Sequence, residues 1–300
     1  MSKELNELNE PNELNKPNEP KEPWYYLMML LNRLACFSLT GFWNLLFFAI
    51  ILFCCFSKSA LAEEDHPPFY PGEKMTFQLK WSFITAGEAV IKVLPMEHLD
   101  GVEVFHIVYS GRTSPYVDLF YKVRDTVDSY IDAEVTHSLL YKKLQQGKSQ
   151  LDITVRFDWA ENQALFSDSG KKSKPISIFP GTFDPLSVFY SFRLHDLEKY
   201  KEFETPVTDG KNCVMGKVRV IKRETIKVEG TSYDTYLVEP DLKDLRGVFK
   251  KSKGAALKIW VTADERCIPV RIKSKVIVGS FLADLVSFEA GTPEVFDSQL

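Results

Sequence analysis

The sequence predicts a mainly β fold: an antiparallel sheet curled into an open barrel or half-barrel, with one or two short helices on its concave face and one apolar N-terminal helix ahead of it. Three observations carry this expectation. Apolar and polar residues alternate at period two through much of residues 76–288. Turn signals such as Leu99-Asp100-Gly101 and Glu229-Gly230 separate neighbouring runs closely enough for antiparallel pairing. One helix start interrupts the strands at Asp184-Pro185, with Leu186, Phe189 and Tyr190 following at helical spacing. A helix of about ten residues cannot cover the apolar face of ten or so strands, so the sheet must curl round it.

The elements follow in chain order. Residues 4–23 repeat short units of Asn, Glu, Leu, Pro and Lys, as in Glu7-Leu8-Asn9-Glu10-Pro11, which can bury too little apolar area to offset chain entropy, and residues 1–33 are expected to form a disordered low-complexity tail. Residues 34–62 are a signal peptide or a transmembrane anchor. Leu34 to Phe56 contains no charged residue and is long enough to span about 30 Å of hydrocarbon. Leu45 to Phe56 followed by Ala60-Leu61-Ala62 equally fits an apolar core and a small-x-small cleavage site. A chain begun at Met29 would have an ordinary secretory leader. Both readings place residues 63–300, one β-rich domain, outside the cytoplasm, with membrane contact through residues 34–56 if they stay uncleaved.

Within that domain the clearest strand is Leu151 to Trp159, where Leu151, Ile153, Val155, Phe157 and Trp159 alternate with Asp152, Thr154, Arg156 and Asp158. Phe77, Leu79 and Trp81 alternate similarly, as do Ile268, Val270 and Ile272 in a run continuing to Val278. Further strands are expected at 86–94, 102–109, 116–124, 138–145, 217–228, 232–238, 257–262 and 281–288.

Charge and cysteine content narrow the classes of function. Five of the 37 Lys and Arg and six of the 41 Asp and Glu precede residue 63, leaving 32 against 35, without the basic surplus a nucleic-acid partner requires. Cys36, Cys54 and Cys55 fall in the apolar segment, where Phe53 ahead of Cys54 is too large for a lipidation site. Cys213 and Cys267 are left for the domain, where an oxidising compartment allows a disulfide between them or two separate buried thiols.

The residues offer little for catalysis. His66, His98, His106, His137 and His195 are scattered without metal-ligand spacing, and no G-x-S-x-G, Walker or G-x-G-x-x-G motif occurs. No catalytic residue, metal or cofactor is therefore expected, and the chain reads as a non-enzyme. Arg124, Asp125, Asp128 and Asp132 read as a solvated strand face, with acid/base work or cation binding as the alternative, and Glu73 and Glu88 as solvated charges at strand ends, with inward-facing charges as the alternative. Phe77, Trp81, Phe157, Trp159 and Trp260 alternate inward; with Phe189 on the helix they are either core or the lining of a hydrophobic ligand site.

Several motifs together resemble one family. Phe69-Tyr70-Pro71-Gly72-Glu73-Lys74, Trp81 and Ala86-Gly87-Glu88-Ala89 are similar to the opening of the exported bacterial proteins grouped as DUF3108. Phe183-Asp184-Pro185-Leu186-Ser187 and the hairpin from Ile259-Trp260-Val261 to Ile268-Pro269-Val270 resemble its later motifs. The resemblance implies a sheet like the half-barrel of periplasmic lipoprotein carriers and a location in the periplasm or at the outer face of the inner membrane. It brings no catalytic residue. The expected partner is a lipid or other amphipathic small molecule, bound between the sheet and the helix; the alternatives are a structural or interaction module of the envelope and, more remotely, a hydrolase. A protein partner is not indicated.

Overall fold

The computed structural model of the protein describes residues 67–82, 84–147, 150–241, 257–275 and 280–293. The tail, the apolar segment 34–62 and Cys36, Cys54 and Cys55 lie outside these residues. Among the described residues no helix is long and apolar enough to cross a membrane. Residues 66–300 form a compact unit by themselves, and every strand pairing and apolar cluster given below falls within it.

The strands are β1 (Lys74–Trp81), β2 (Ile84–Val93), β3 (Glu97–Leu99), β4 (Val102–Thr113), β5 (Val123–Asp132), β6 (Ser138–Gly147), β7 (Leu151–Asp158) and β8 (Gln163–Asp168). They continue with β9 (Lys171–Lys172), β10 (Ile176–Ser177), β11 (Glu202–Thr208), β12 (Cys213–Val228), β13 (Thr231–Pro240), β14 (Leu257–Thr262), β15 (Pro269–Lys275) and β16 (Ser280–Glu289). Two short helices, α1 (Pro115–Asp118) and α2 (Ser187–Phe192), interrupt them. The sheet runs β10-β8-β7-β6-β5-β4-β2-β1-β16-β15-β14-β13-β12-β11, with β3 and β9 added at β4 and β8. The ladders are antiparallel meanders except at the centre, where β1 pairs with the last strand from Lys74↔Glu289 to Trp81↔Phe281.

The open sheet is joined across its gap by other means. Phe183, just before α2, donates its amide to Pro206 O at 2.9 Å and accepts from the Thr208 amide at 2.9 Å, while Ser138 N donates to Thr182 O at 3.1 Å. The segment ahead of α2 thus sews the edge strand β11 to the start of β6. The β11–β12 turn then lies against the far half of the sheet. A Cβ on Gly210, whose φ is +82°, would stand 2.6 Å from a Val155 methyl, so glycine is required for both backbone angle and space.

Three apolar clusters fill the curl. The main one joins Phe69, Met75, Phe77, Ile91, Ile107, Ile131 and Leu285 to Phe183 and Tyr190 from the α2 segment. A second holds Val127, Tyr141, Val155, Phe157, Ala164 and Phe166 on β5 to β8. A third holds Phe192, Val220, Tyr236, Val238, Val261 and Cys267.

The structure differs from the sequence reading at definite points. Residues 116–122 are not a strand: Ser114-Pro115 opens the turn α1, and β5 begins only at Val123. This is the same polar-residue-then-proline signal as Asp184-Pro185, with proline fitting the first helical position. α2 has six residues rather than about ten, and Pro185 precedes it in a turn. Strand β11 escaped detection because Pro206 breaks its pattern; it is tolerated because β11 is an edge strand laddered to β12, and in the short bridge to Phe183 on its other side Pro206 supplies only its carbonyl. In β8 the alternation is confined to Ala164 and Phe166, too short a run to read.

The disulfide alternative is also corrected. Cys213 packs against the second cluster beside Thr182, whereas Cys267 lies in the third cluster with its sulfur 3.5 Å from Asp264 O, and both are free thiols. Burial pushes the Cys267 thiol up to about 11. Native protein should therefore leave Cys267 unalkylated by iodoacetamide at pH 8 while denatured protein exposes it, measured by mass spectrometry of the tryptic peptides. Rapid native alkylation of Cys267 would show that the third cluster is looser than described.

Candidate functional site on the concave face

The site is built around the polypeptide that plugs the curl. Asp184 is fully buried, and its Oδ2 accepts from the hydroxyls of Ser129 on β5 (2.7 Å), Ser138 on β6 (2.8 Å) and Ser187 on α2 (2.8 Å). Its Oδ1 accepts from the amides of Leu186 (2.8 Å) and Ser187 (3.0 Å), satisfying donors that the helix start would otherwise orphan. One carboxylate thus fixes α2 to two strands. At the other end of α2, Arg193 makes a bidentate pair with Glu73 (2.6 and 2.9 Å), donates to Arg266 O (2.9 Å) and Pro68 O (3.2 Å), and lies over the rings of Phe69 and Tyr190. Both charges are buried, which corrects the reading of Glu73 as solvated. Burial lowers the proton affinity of Arg193, but the Glu73 carboxylate outweighs it and holds the guanidinium charged. Tyr190, pushed well up first by burial and then by the charge of Glu73, stays a neutral phenol.

The space directly between α2 and the sheet is occupied by Tyr190, Phe77 and Phe69, with Phe69 edge-on to Tyr190 at 4.7 Å. Further along the same face the packing thins. Leu79, Tyr109, Ala283, Leu186 and Phe189 form a half-buried border of the main cluster. Alternation places Gly87, Ala89 and Gly111 among them, since Leu79 pairs with Gly87, Gly111 with Ala89 and Tyr109 with Ile91. The Tyr109 hydroxyl lies where a Cβ on Gly111 would be, 2.4 Å from it. Facing Gly111 across the ladder is Asp125, whose Oδ1 is buried without a hydrogen-bond partner. Burial raises the Asp125 carboxyl, and burial then Asp125 push the Tyr109 phenol up to about 12. Small residues and a phenol beside an unsatisfied acid thus border an apolar face that the chain leaves partly open.

The other residues of the polar run lie on the face opposite Asp125. Asp128 reaches His106 (2.9 Å), Asp132 caps the turn at Thr136 and His137, and Arg124 pairs with Asp118. Among the described residues no cluster of His, Cys, Asp and Glu could hold a metal ion.

The six aromatics named from sequence are not brought round one cavity. Phe77 is core in the main cluster and Phe157 in the second; Trp159, beyond the end of β7, packs on the second and donates Nε1 to Ser138 O at 3.0 Å. Trp260 packs at the margin of the main cluster and donates to Glu224 at 3.0 Å. Trp81 is 43% exposed at the end of β1, stacked on Phe281. Of the six, only Phe189 belongs to the half-buried border among α2 residues. Tyr109, Asp125 and Ala283 were missed because a tyrosine, an acid and an alanine on alternating strands carry no signal until register aligns them.

Two grooves lie elsewhere. One of about 450 Å³ is lined by Tyr233, Asp234, Asp264, Arg266, Ile268 and Phe288, among others, and has its Arg266 paired to Asp264 at 2.6 Å. Another of about 350 Å³ includes His195, Asp196, Glu198 and Glu265. Burial lowers His195, which keeps it neutral near pH 7.

The model of the family described as protein of unknown function DUF3108 matches residues 76–286. The chain belongs to the DUF3108 family. No curated protein matches the sequence. Among solved structures, a β-barrel-like protein of the domain of unknown function DUF1849 from Brucella abortus aligns over 74% of this chain and 98% of its own, with TM-score 0.48 and 11% identity. A candidate exported protein with a YmcC-like fold from Bacteroides fragilis covers 74% and 98%, with TM-score 0.30 and 7% identity. A candidate lipoprotein from Parabacteroides distasonis covers 75% and 99%, with TM-score 0.33 and 11% identity.

Proposed function

We propose that this DUF3108 protein is an exported component of a bacterial cell envelope, in the periplasm or at the outer face of the inner membrane, that binds a long apolar or amphipathic molecule non-catalytically. The apolar segment 34–56 with Ala60-Leu61-Ala62 supports the location. The half-buried border Leu79, Tyr109, Ala283, Leu186 and Phe189 carries the ligand reading, because contiguous apolar surface inside a concave face is what a hydrophobic ligand covers. Asp125 and Tyr109 would meet a polar head, the buried acid accepting the hydrogen bond it lacks within the fold. A fluorescent fatty-acid probe should bind residues 66–300 saturably, and Ala283→Trp, which fills the border, should weaken that binding at least tenfold with little change in the melting curve. Absence of saturable binding by the wild-type domain would sink the ligand reading. A structural or interaction module of the envelope would then take its place, a reading favoured by the filled space between α2 and the sheet.

A further inference from the structure

The connection between β4 and β5 shows its apolar side chains outward. Tyr116 is 82% exposed, Leu119 78% and Phe120 88%, although the loop that carries them is firmly built. Asp118 turns back to receive both Nη atoms of Arg124 (3.1 and 2.5 Å) and the Thr113 hydroxyl (2.5 Å). Thr113 Oγ1 accepts from the Val123 amide at 2.9 Å, and the Val117 carbonyl accepts from the amides of Phe120 and Tyr121. Local hydrogen bonds therefore hold the backbone, while among the described residues nothing buries the three tips.

Neighbouring connections extend this apolar end of the sheet. Ser114 N donates to Ala86 O at 2.8 Å, placing the loop beside the β1–β2 turn, where Ile84 is 61% exposed. Ser82 N donates to Ser280 O at 2.9 Å, which brings in the stacked pair Trp81 and Phe281 at the start of β16. Isolated exposed apolar residues need no explanation, but a set gathered at one end of four neighbouring strands does.

We propose that these tips dock the domain on a phospholipid bilayer. Aromatic and leucine tips that stand out from the surface suit insertion among lipid headgroups, where Trp and Tyr are favoured, rather than packing into a complementary protein groove. Charge agrees. The loop's single acid, Asp118, is neutralised by Arg124, and the charged residue that follows the tips is exposed Lys122, which would face anionic headgroups. The inference stands on the loop alone and does not depend on the concave face holding a ligand.

The test uses residues 66–300, which lack the apolar segment, and large vesicles of phosphatidylethanolamine with 30% phosphatidylglycerol as a chosen probe composition. The domain should float with the vesicles, and Leu119→Ser with Phe120→Ser should lower the partition coefficient at least tenfold with an unchanged melting curve. Lys122→Glu should lower it severalfold on these vesicles and leave it unchanged on neutral phosphatidylcholine. Failure of the wild-type domain to float, or equal flotation of the double variant, would overturn the proposal. So would self-association of the wild-type domain in solution that the double variant abolishes, because the tips would then serve a second copy of the chain. Fatty-acid binding measured without vesicles reports only on the concave face, so the two failures are distinguishable.

Discussion

Arg193→Met should lower the unfolding free energy of residues 66–300 by about 3–5 kcal/mol, because removing one partner of a buried ion pair leaves the other charge uncompensated. Glu73 is 2% exposed and receives both terminal nitrogens of Arg193, so no water can replace them without opening the end of α2. The double variant Glu73→Gln with Arg193→Met should recover much of the loss, since it removes the stranded charge while the methionine keeps contact with Phe69 and Tyr190. Urea unfolding followed by tryptophan fluorescence measures both. A single variant that loses under about 1 kcal/mol would mean that Glu73 is solvated in solution, as its place beside β1 first suggested.

Asp184→Ala should have an effect of similar size, about 3–5 kcal/mol, by a different route. It removes the shared acceptor of three hydroxyls and two helix-start amides in a buried place; Ser138 and Ser187 can still bond each other at 2.6 Å, but the Ser129 hydroxyl and the two amides are orphaned, and each buried unsatisfied group costs about 1–3 kcal/mol before relaxation. Asp184→Asn should lose less in the same urea experiment, because its carbonyl oxygen can still accept from the two amides. Equal losses for the two substitutions would point to the negative charge, rather than the geometry of acceptance, as what holds α2 to β5 and β6.

These two predictions mark the limit of what was legible beforehand. Strand faces were readable wherever alternation ran for five residues or more, as at Leu151 to Phe157, because one-sided burial writes itself into sequence at period two. Asp184-Pro185 was readable as a helix start for the same local reason. That Asp184 would gather Ser129 and Ser138 was not readable, since those serines lie 55 and 46 positions away and meet it only when the sheet curls. Glu73 shows the same limit: its partner is 120 positions distant, and nothing adjacent distinguishes a buried acid from a wet one. The exposed tips of the β4–β5 connection were misread because Tyr116, Val117, Leu119, Phe120 and Tyr121 look like a buried strand to any reading based on hydrophobicity.

The pairing of β1 with β16 bears on when this chain can fold at all. Lys74 and Glu289, partners in that ladder and 215 positions apart, bracket nearly the whole domain, so the central strand lacks one neighbour until the last strand has been made. Closing so long a loop is slow, and partial products would show an unpaired edge and half of the main cluster. A nascent chain that emerges N-terminus first therefore stays pliable throughout synthesis, the state that threading through a narrow translocation channel demands. In the exported state proposed above, it would collapse to its final form only after β16 has crossed the membrane.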